Sequence, residues 1–284
     1  MRYNHILLAV DLRHDVRHLL QRTGKFALRL GAALHLISVL PVADGMSQDG
    51  GPDKTPELKR ETFAYLEQLA GAMPCSAGEC MVECGEVAPE ILAAAARVNT
   101  DLLVLGSRQK PGLMAWLQEG TAEKLLPSLN CDLLILDEDR PFWHPPLTFS
   151  LFVDIDDAGH QLLTKAAHFA HRMGADLRVT HVVEPLGEAH LALELEGGYA
   201  ATLTDACEKA ERQLAEWITA LPELPERWQV VSGSPGRFMA ESLADPKIQL
   251  VVVGGARSAH RHLTQGNHLH RLLHEAGDVL ILRW

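Results

Sequence analysis

The sequence predicts an α/β fold in which two doubly wound domains follow one another along the chain. Three observations favour it. The 284 residues suffice for two domains of about 100–200 residues each, strand-like and helix-like segments alternate, and the pattern of the first half recurs in the second. We expect a first domain over residues 1–140 and a second over 147–284, joined by a proline-containing linker within 137–146.

The repeat consists of matched segments at a fixed displacement. The apolar run Ile6–Asp11 ends in an acid, and so does Leu151–Asp154, with the two acids 143 residues apart (154 − 11). The segments Arg29–Leu34 and Arg172–Leu177 keep the same displacement. Because order and spacing hold along the whole chain, the pattern indicates duplication of one fold unit.

The elements of the first half follow from periodicity. Short, continuous apolar runs are typical of strands buried on both faces, whereas apolar residues at helical spacing predict helices. Gly31 is expected to end the first helix, and Thr55-Pro56 supplies an N-cap and a first-turn proline for the second. We predict strands over 4–11, 34–40, 79–84, 101–105 and 132–136, and helices over 15–31, 55–71, 89–98 and 120–129.

This alternation predicts a five-stranded parallel sheet of order 3-2-1-4-5 in each domain, with helices on both faces. The second domain repeats the plan, with a long helix over about 204–220. The last strands, Asp132–Leu136 and Asp278–Leu282, are apolar and would lie at sheet edges, where bare apolar strands promote aggregation. We therefore expect the two domains to pair through these strands as an intrachain pseudo-dimer.

Composition excludes several classes of partner. The formal net charge of -11 argues against a general nucleic-acid surface, which needs clustered Lys and Arg. The apolar run after the first residues is too short for a signal peptide, and no run approaches a membrane span of about 20 residues. Five cysteines without a framework spacing indicate reduced thiols, so we expect a cytoplasmic protein without membrane or nucleic-acid partners.

A ligand crevice is expected where the winding direction of each sheet reverses, beyond the carboxyl ends of strands one and four. Asp11 and Gly106 occupy these ends in the first domain, and Asp154 and Gly254 in the second. An acid there accepts hydrogen bonds from an amine or hydroxyl, and glycine lets backbone N–H groups approach phosphate. The helix opening at Gly120-Thr121 adds a dipole and a hydroxyl donor.

On these residues the chain resembles the universal stress protein family in its tandem two-domain form. Its ATP-binding members carry a loop of pattern G-x2-G-x9-G-[ST] after the fourth strand and an aspartate at the end of the first strand, near the adenine. Here Gly106 opens the loop, Gln109 stands at the second glycine position, and Gly120-Thr121 comes one residue late.

The loop of the second domain departs further from the family pattern. After Gly254, Arg257 stands at the second glycine position, Gly266 comes one residue early, and Asn267 replaces Ser or Thr. A side chain at the second glycine obstructs the close backbone approach that phosphate needs. The family also contains members with degenerate loops that do not bind ATP.

The resemblance implies a stress-response protein that binds ATP or a related adenine nucleotide in the first domain. The alternative is a nucleotide-free interaction module with no ligand in either crevice. Arg108 would offer charge to a phosphate, or is a solvated loop cation. The implied site residues are Asp11, Val39, Gly106, Arg108, Gly120 and Thr121, with second-domain counterparts Asp154, Val182, Gly254, Gly266 and Asn267.

Dedicated catalysis is not expected, because the chain has neither a G-x-x-x-x-G-K-[ST] phosphate loop nor a G-x-S-x-G nucleophile elbow. Weak ATP hydrolysis is the most that we predict.

Asp156–Gly159 is expected to form the turn and cap before a helix rather than a carboxylate site. Protein partners and a further homodimer are open expectations. The histidines between 260 and 274 are expected to lie on the surface without a metal; they are His260, His262, His268, His270 and His274.

Overall fold

Each half of the chain folds around its own parallel sheet, because each supplies five apolar runs separated by helices. The computed structural model describes residues 3–41, 55–107, 121–185, 199–255 and 277–283. The chain divides into two compact units, Arg2–Phe142 and Trp143–Trp284. The predicted pairing of the two last strands stays a prediction.

The first domain alternates strands and helices as predicted. Its parallel strands lie in the order β3-β2-β1-β4-β5, which confirms the predicted order 3-2-1-4-5. The elements are β1 (His5–Ala9), α1 (Arg17–Leu30), β2 (Ala33–Leu40), α2 (Thr55–Gly71), β3 (Ala77–Cys84), α3 (Val87–Arg97), β4 (Leu102–Ser107), α4 (Thr121–Leu125) and β5 (Asp132–Asp137).

The second domain repeats this topology, with its strands in the order β10-β9-β6-β7-β8 and parallel pairing throughout. The long predicted helix is present as α6. The elements are β6 (Leu147–Phe152), α5 (Asp157–Arg172), β7 (Ala175–Val183), α6 (Tyr199–Thr219), β8 (Arg227–Ser232), α7 (Pro235–Ala244), β9 (Leu250–Gly255) and β10 (Val279–Arg283).

Local sequence explains where the elements lie and end. β4 and β5 are buried along their whole length, as expected for continuous apolar runs, and β9 and β10 are equally buried. Gly31 ends α1 in a left-handed conformation with φ 68°, which confirms the predicted helix stop. No helix among the described ranges is long and apolar enough to cross a membrane.

The boundary between the units falls inside the predicted linker. Phe142 packs on the first domain, with its ring 5.1 Å from that of His18 and 3.7 Å from the ammonium of Lys25. Trp143 packs on the second domain, where its ring lies edge-on to Phe149. An aromatic side chain thus holds each side of the boundary against its own domain.

A chain of hydrogen bonds joins the first three strands near their amino ends. The backbone N–H of Glu79 donates to Nδ1 of His35 over 3.0 Å, and Nε2 of His35 lies 3.1 Å from Nδ1 of His5. Since His35 Nδ1 accepts, the proton of this buried ring is on Nε2 and is donated to His5. The arrangement requires a neutral His35 ring.

The pKa of His35 is lowered by burial and by the charge of His5, which together outweigh the raising effect of Glu79. The folded state therefore resists protonation, while the unfolded state takes up a proton near the ordinary value of 6.5. The contribution of His35 to the free energy of unfolding is therefore fully present above pH 6.5 and is lost as the pH falls through the lowered pKa of the folded state.

We expect the free energy of unfolding to fall between pH 7 and pH 5, with His35 contributing a slope of up to about 1.4 kcal/mol per pH unit. In the His35→Gln variant this contribution disappears and the slope is shallower. Urea denaturation at pH 5, 6 and 7 measures both slopes. The pKa of His181 is also lowered by burial, against the raising effect of its hydrogen bond to Val153. His181 therefore leaves a residual slope of the same sign in the variant. Equal slopes in the two proteins contradict the assignment.

Candidate functional site

The sheet brings three of the sequence-predicted residues to one edge of the first domain. Ala9 of β1 is paired with Leu105 of β4 on one side and with Ile37 of β2 on the other. Gly106 directly follows Leu105, while Asp11 and Val39 each lie two residues beyond their paired neighbours. Asp11 and Val39 therefore stand at the same level, next to the strand end that carries Gly106.

Arg13 holds the carboxylate of Asp11. Its Nε and Nη2 donate to Oδ1 and Oδ2 over 2.8 and 2.7 Å, and its backbone N–H donates to Oδ1 over 3.1 Å. Nε2 of His14 lies 3.8 Å from Oδ2. Burial raises the pKa of Asp11, but the hydrogen bonds and charge of Arg13 outweigh it, so the pKa is lowered. Asp11 is an ionised acceptor and a weak base.

The surroundings of Gly106 leave no room for a side chain. A Cβ built on this buried glycine would lie 2.2 Å from Oε1 of Glu138 and 2.7 Å from Cδ2 of Leu19. Glu138 follows β5, and Leu19 lies on α1. A carboxylate therefore lies beside the glycine at which the sequence predicts the approach of a phosphate.

The remaining first-domain site residues are only partly described. Thr121 is the first residue of α4, as the predicted helix opening requires, although that helix ends at Leu125 rather than near residue 129. Arg108 and Gly120 lie outside the described residues.

The second crevice has the same backbone plan. Phe152 of β6 is paired with Thr180 of β7, so Asp154 and Val182 stand at one level. Gly254 lies in β9, where it is paired with Leu282 of β10. Gly266 and Asn267 lie outside the described residues.

The helix that follows β6 closes tightly on Asp154. Asp156 caps α5 by accepting from the backbone N–H of Gly159 over 2.7 Å, which confirms the predicted turn and cap. A Cβ on Gly159 would lie 1.8 Å from the backbone oxygen of Asp154. Glycine at 159 is what allows the helix to approach this strand end.

Two cations, the buried Arg22 and the half-buried Lys165, were missed by the sequence reasoning. Arg22 of α1 donates to the backbone oxygen of Asp137, and Lys165 of α5 donates to that of Arg283. Each bond fixes the carboxyl end of the last strand of its domain. Lys165 stands 143 residues after Arg22 (165 − 22), so the repeat displacement contained the signal that would have found the pair.

A metal centre is not evident in the described parts of the chain. Within those ranges, no group of three or more His, Cys, Asp or Glu side chains is arranged to hold a metal ion. The histidines between 260 and 274 lie outside them.

The duplicated fold and its paired crevices match one known family twice. The universal stress protein family matches residues 2–137 and again residues 151–283. The chain belongs to the universal stress protein family. It is a tandem member, because each match covers one of the two α/β domains.

Solved structures resemble this universal stress protein along almost its whole length. A universal stress protein from Archaeoglobus fulgidus DSM 4304 is 18% identical with a TM-score of 0.71, and the alignment covers 99% of this chain and 97% of that one. A functionally unknown protein from Pseudomonas aeruginosa PAO1 is 18% identical with a TM-score of 0.63, covering 99% and 92%. These likenesses show the shared fold. No curated protein sequence matches the chain significantly.

Proposed function

We propose that this universal stress protein is a cytoplasmic stress-response protein that binds ATP or a related adenine nucleotide in its first domain. The proposal rests on the placement of Asp11 and Val39 at one level beside Gly106, where an open α/β sheet binds its ligands. The activity that we assign to the protein is binding of this nucleotide rather than its hydrolysis.

Each residue has a role in the proposed site. Val39 lines the base pocket, and Asp11 accepts a hydrogen bond from the adenine amine or a ribose hydroxyl through lone pairs that Arg13 leaves available. Gly106 and Arg108 face the ribose and phosphate, and Gly120-Thr121 contacts phosphate. Asp154, Val182, Gly254, Gly266 and Asn267 are the counterparts in the second crevice.

The pKa of Asp11 bears on catalysis. A general base works best when its pKa lies near the working pH, whereas Arg13 holds the pKa of the Asp11 carboxyl below its usual range. We therefore propose at most weak ATP hydrolysis.

A nucleotide-free interaction module is the second candidate. It is favoured by the carboxylate of Glu138 beside Gly106 and by the engagement of Asp11 with Arg13, since both positions are already used by protein groups. In that case the two domains present surfaces to protein partners, and further homodimerisation is one form of such contact.

Titration calorimetry with ATP and with AMP on metal-stripped full-length protein tests the first candidate. We expect Asp11→Asn to weaken binding by about tenfold or more, because an ionised acceptor is worth roughly 1.5–3 kcal/mol. Asp15→Asn is the matched control. Asp15 binds Arg17 through the same two-residue spacing, at 2.9 and 2.6 Å, but its side chain is exposed and it lies four residues further along the chain (15 − 11). It should change affinity less than about twofold.

Absence of both binding heat and thermal shift at millimolar ATP and AMP would reject nucleotide binding and leave the interaction module. Equal losses in the two variants would show that Asp11 does not contact the ligand.

A further inference from the structure

Arg13 uses most of the hydrogen-bonding capacity of the Asp11 carboxylate. A carboxylate offers about four lone-pair sites, two on each oxygen. Oδ1 of Asp11 accepts from both the backbone N–H and Nε of Arg13, over 3.1 and 2.8 Å, whereas Oδ2 accepts from Nη2 over 2.7 Å. Nε2 of His14 lies 3.8 Å from Oδ2, which is beyond hydrogen-bond distance. One acceptor site on Asp11 therefore remains open, and it is on Oδ2.

The Asp11–Arg13 ion pair is stronger than the bond that a sugar hydroxyl can offer in its place. Bidentate hydrogen bonds between charged groups are roughly twice as strong as those between neutral groups, and a hydroxyl is neutral. The Asp11 side chain is only 14% exposed, so it has little room to turn away from Arg13. We therefore expect a hydroxyl to occupy the open site on Oδ2 and to leave the ion pair intact.

This ion pair is particular to the first domain and is not required by the fold. The position equivalent to Arg13 in the repeat is held by Asp156, which accepts from the backbone N–H of Gly159 and caps α5. Asp15 and Arg17 form a pair of the same local geometry, but both of their side chains are exposed. That pair supplies a matched control.

The number of open acceptor sites decides how a ribose is recognised. An acid beside an α/β crevice commonly accepts a hydrogen bond from a ribose hydroxyl. An acid with a site open on each oxygen can bind the 2′- and 3′-hydroxyls together, so the loss of either hydroxyl costs a hydrogen bond. With one open site, Asp11 binds one hydroxyl, and the other adds nothing at this residue.

We propose that Arg13 is a positioning residue that limits Asp11 to a single hydrogen bond with the ribose, so that the first crevice takes an adenine nucleotide lacking one ribose hydroxyl as readily as ATP. This inference rests on the proposed nucleotide binding and assigns Asp11 to the ribose. Arg13 acts through Asp11, because its three hydrogen bonds leave an open acceptor site on Oδ2 alone.

The first test is titration calorimetry of the full-length wild-type protein with ATP, 2′-deoxy-ATP, 3′-deoxy-ATP and 2′,3′-dideoxy-ATP. At least one of the two mono-deoxy analogues should bind within about twofold of ATP, because Asp11 uses one hydroxyl. The dideoxy analogue should bind about tenfold or more weakly than ATP, since it has no hydroxyl to donate to the ionised carboxylate.

The second test repeats these titrations on Arg13→Met, which has no side-chain N–H donor and so opens a site on each oxygen of Asp11. Both hydroxyls can then bind, and ATP should bind at least about fivefold more tightly than either mono-deoxy analogue. Arg17→Met is the control and should keep the wild-type ratios. Comparing ligands within one protein cancels the effect of the lost positive charge on the phosphates.

The inference and the proposed function fail in different ways. If ATP binds the wild type but all three analogues bind equally well, Asp11 does not bind the ribose, and the inference is overturned while adenine binding stands. Tenfold losses for both mono-deoxy analogues in the wild type, or unchanged ratios in a folded Arg13→Met protein, also overturn the inference. If Arg13→Met does not fold, the wild-type series decides. If neither ATP nor any analogue binds, the proposed function fails and the inference falls with it.

Discussion

Replacement of Gly159 by alanine is expected to lower the free energy of unfolding of the second domain by about 3 kcal/mol. The added Cβ would lie 1.8 Å from the backbone oxygen of Asp154 and 3.0 Å from Cγ2 of Val153. A backbone oxygen cannot rotate away as a side chain does, so α5 must shift outward. That shift would also weaken the hydrogen bond from Gly159 to the capping Asp156.

Guanidinium denaturation followed by tryptophan fluorescence measures this loss. Gly71→Ala is the control, because nothing lies within 4 Å of a Cβ at this last residue of α2. Alanine there should change the free energy of unfolding by less than about 1 kcal/mol, since helix propensity favours it. A Gly159→Ala protein as stable as Gly71→Ala would show that α5 does not depend on glycine at this position.

The strand framework of the site could be predicted from sequence, because it depends on spacing alone. A continuous apolar run ending in Asp11 predicts a buried parallel strand, and the repeat places Asp154 at the equivalent point. Once the sheet order is known, Val39 must stand level with Asp11. Backbone registers of this kind follow from the hydrophobic pattern.

Contacts made by side chains on the loops could not be predicted in this way. Arg13 and Asp156 occupy the same position of the repeat, 143 residues apart (156 − 13). Arg13 neutralises Asp11, and α1 begins only at Arg17 without a side-chain cap. Asp156 instead caps α5, which begins at Asp157. The two crevices therefore have different loops on the same strand framework.

The placement of Glu138 is a second case. The sequence-based explanation for Gly106 was close approach of a phosphate, whereas the structure fills the same space with Glu138 and Leu19. A glycine in a sequence indicates that a side chain does not fit there, but it does not identify the neighbouring group. That neighbour comes from another strand and depends on tertiary packing.

The second large effect is expected at Asp278, the fully buried residue that precedes β10. Its Oδ2 accepts from the indole Nε1 of Trp143 over 2.5 Å. The first domain has the same device, in which the buried Asp132 accepts from the hydroxyl of Tyr3 over 2.8 Å. In each domain an aromatic donor that precedes the first strand is bound to the acid that opens the last strand.

We expect Asp278→Ala to lower the free energy of unfolding of the second domain by about 2–4 kcal/mol, because it leaves the indole donor of Trp143 without its acceptor and creates a cavity. Trp143→Phe should cost less than Asp278→Ala, about 1–2 kcal/mol, since the ring contact with Phe149 is largely kept.

Guanidinium denaturation of the single variants and the double variant gives the coupling between the two residues. If the bond carries the effect, the double variant loses less than the two single losses added together. Losses that add to within about 0.5 kcal/mol would show instead that Asp278 and Trp143 stabilise the domain independently.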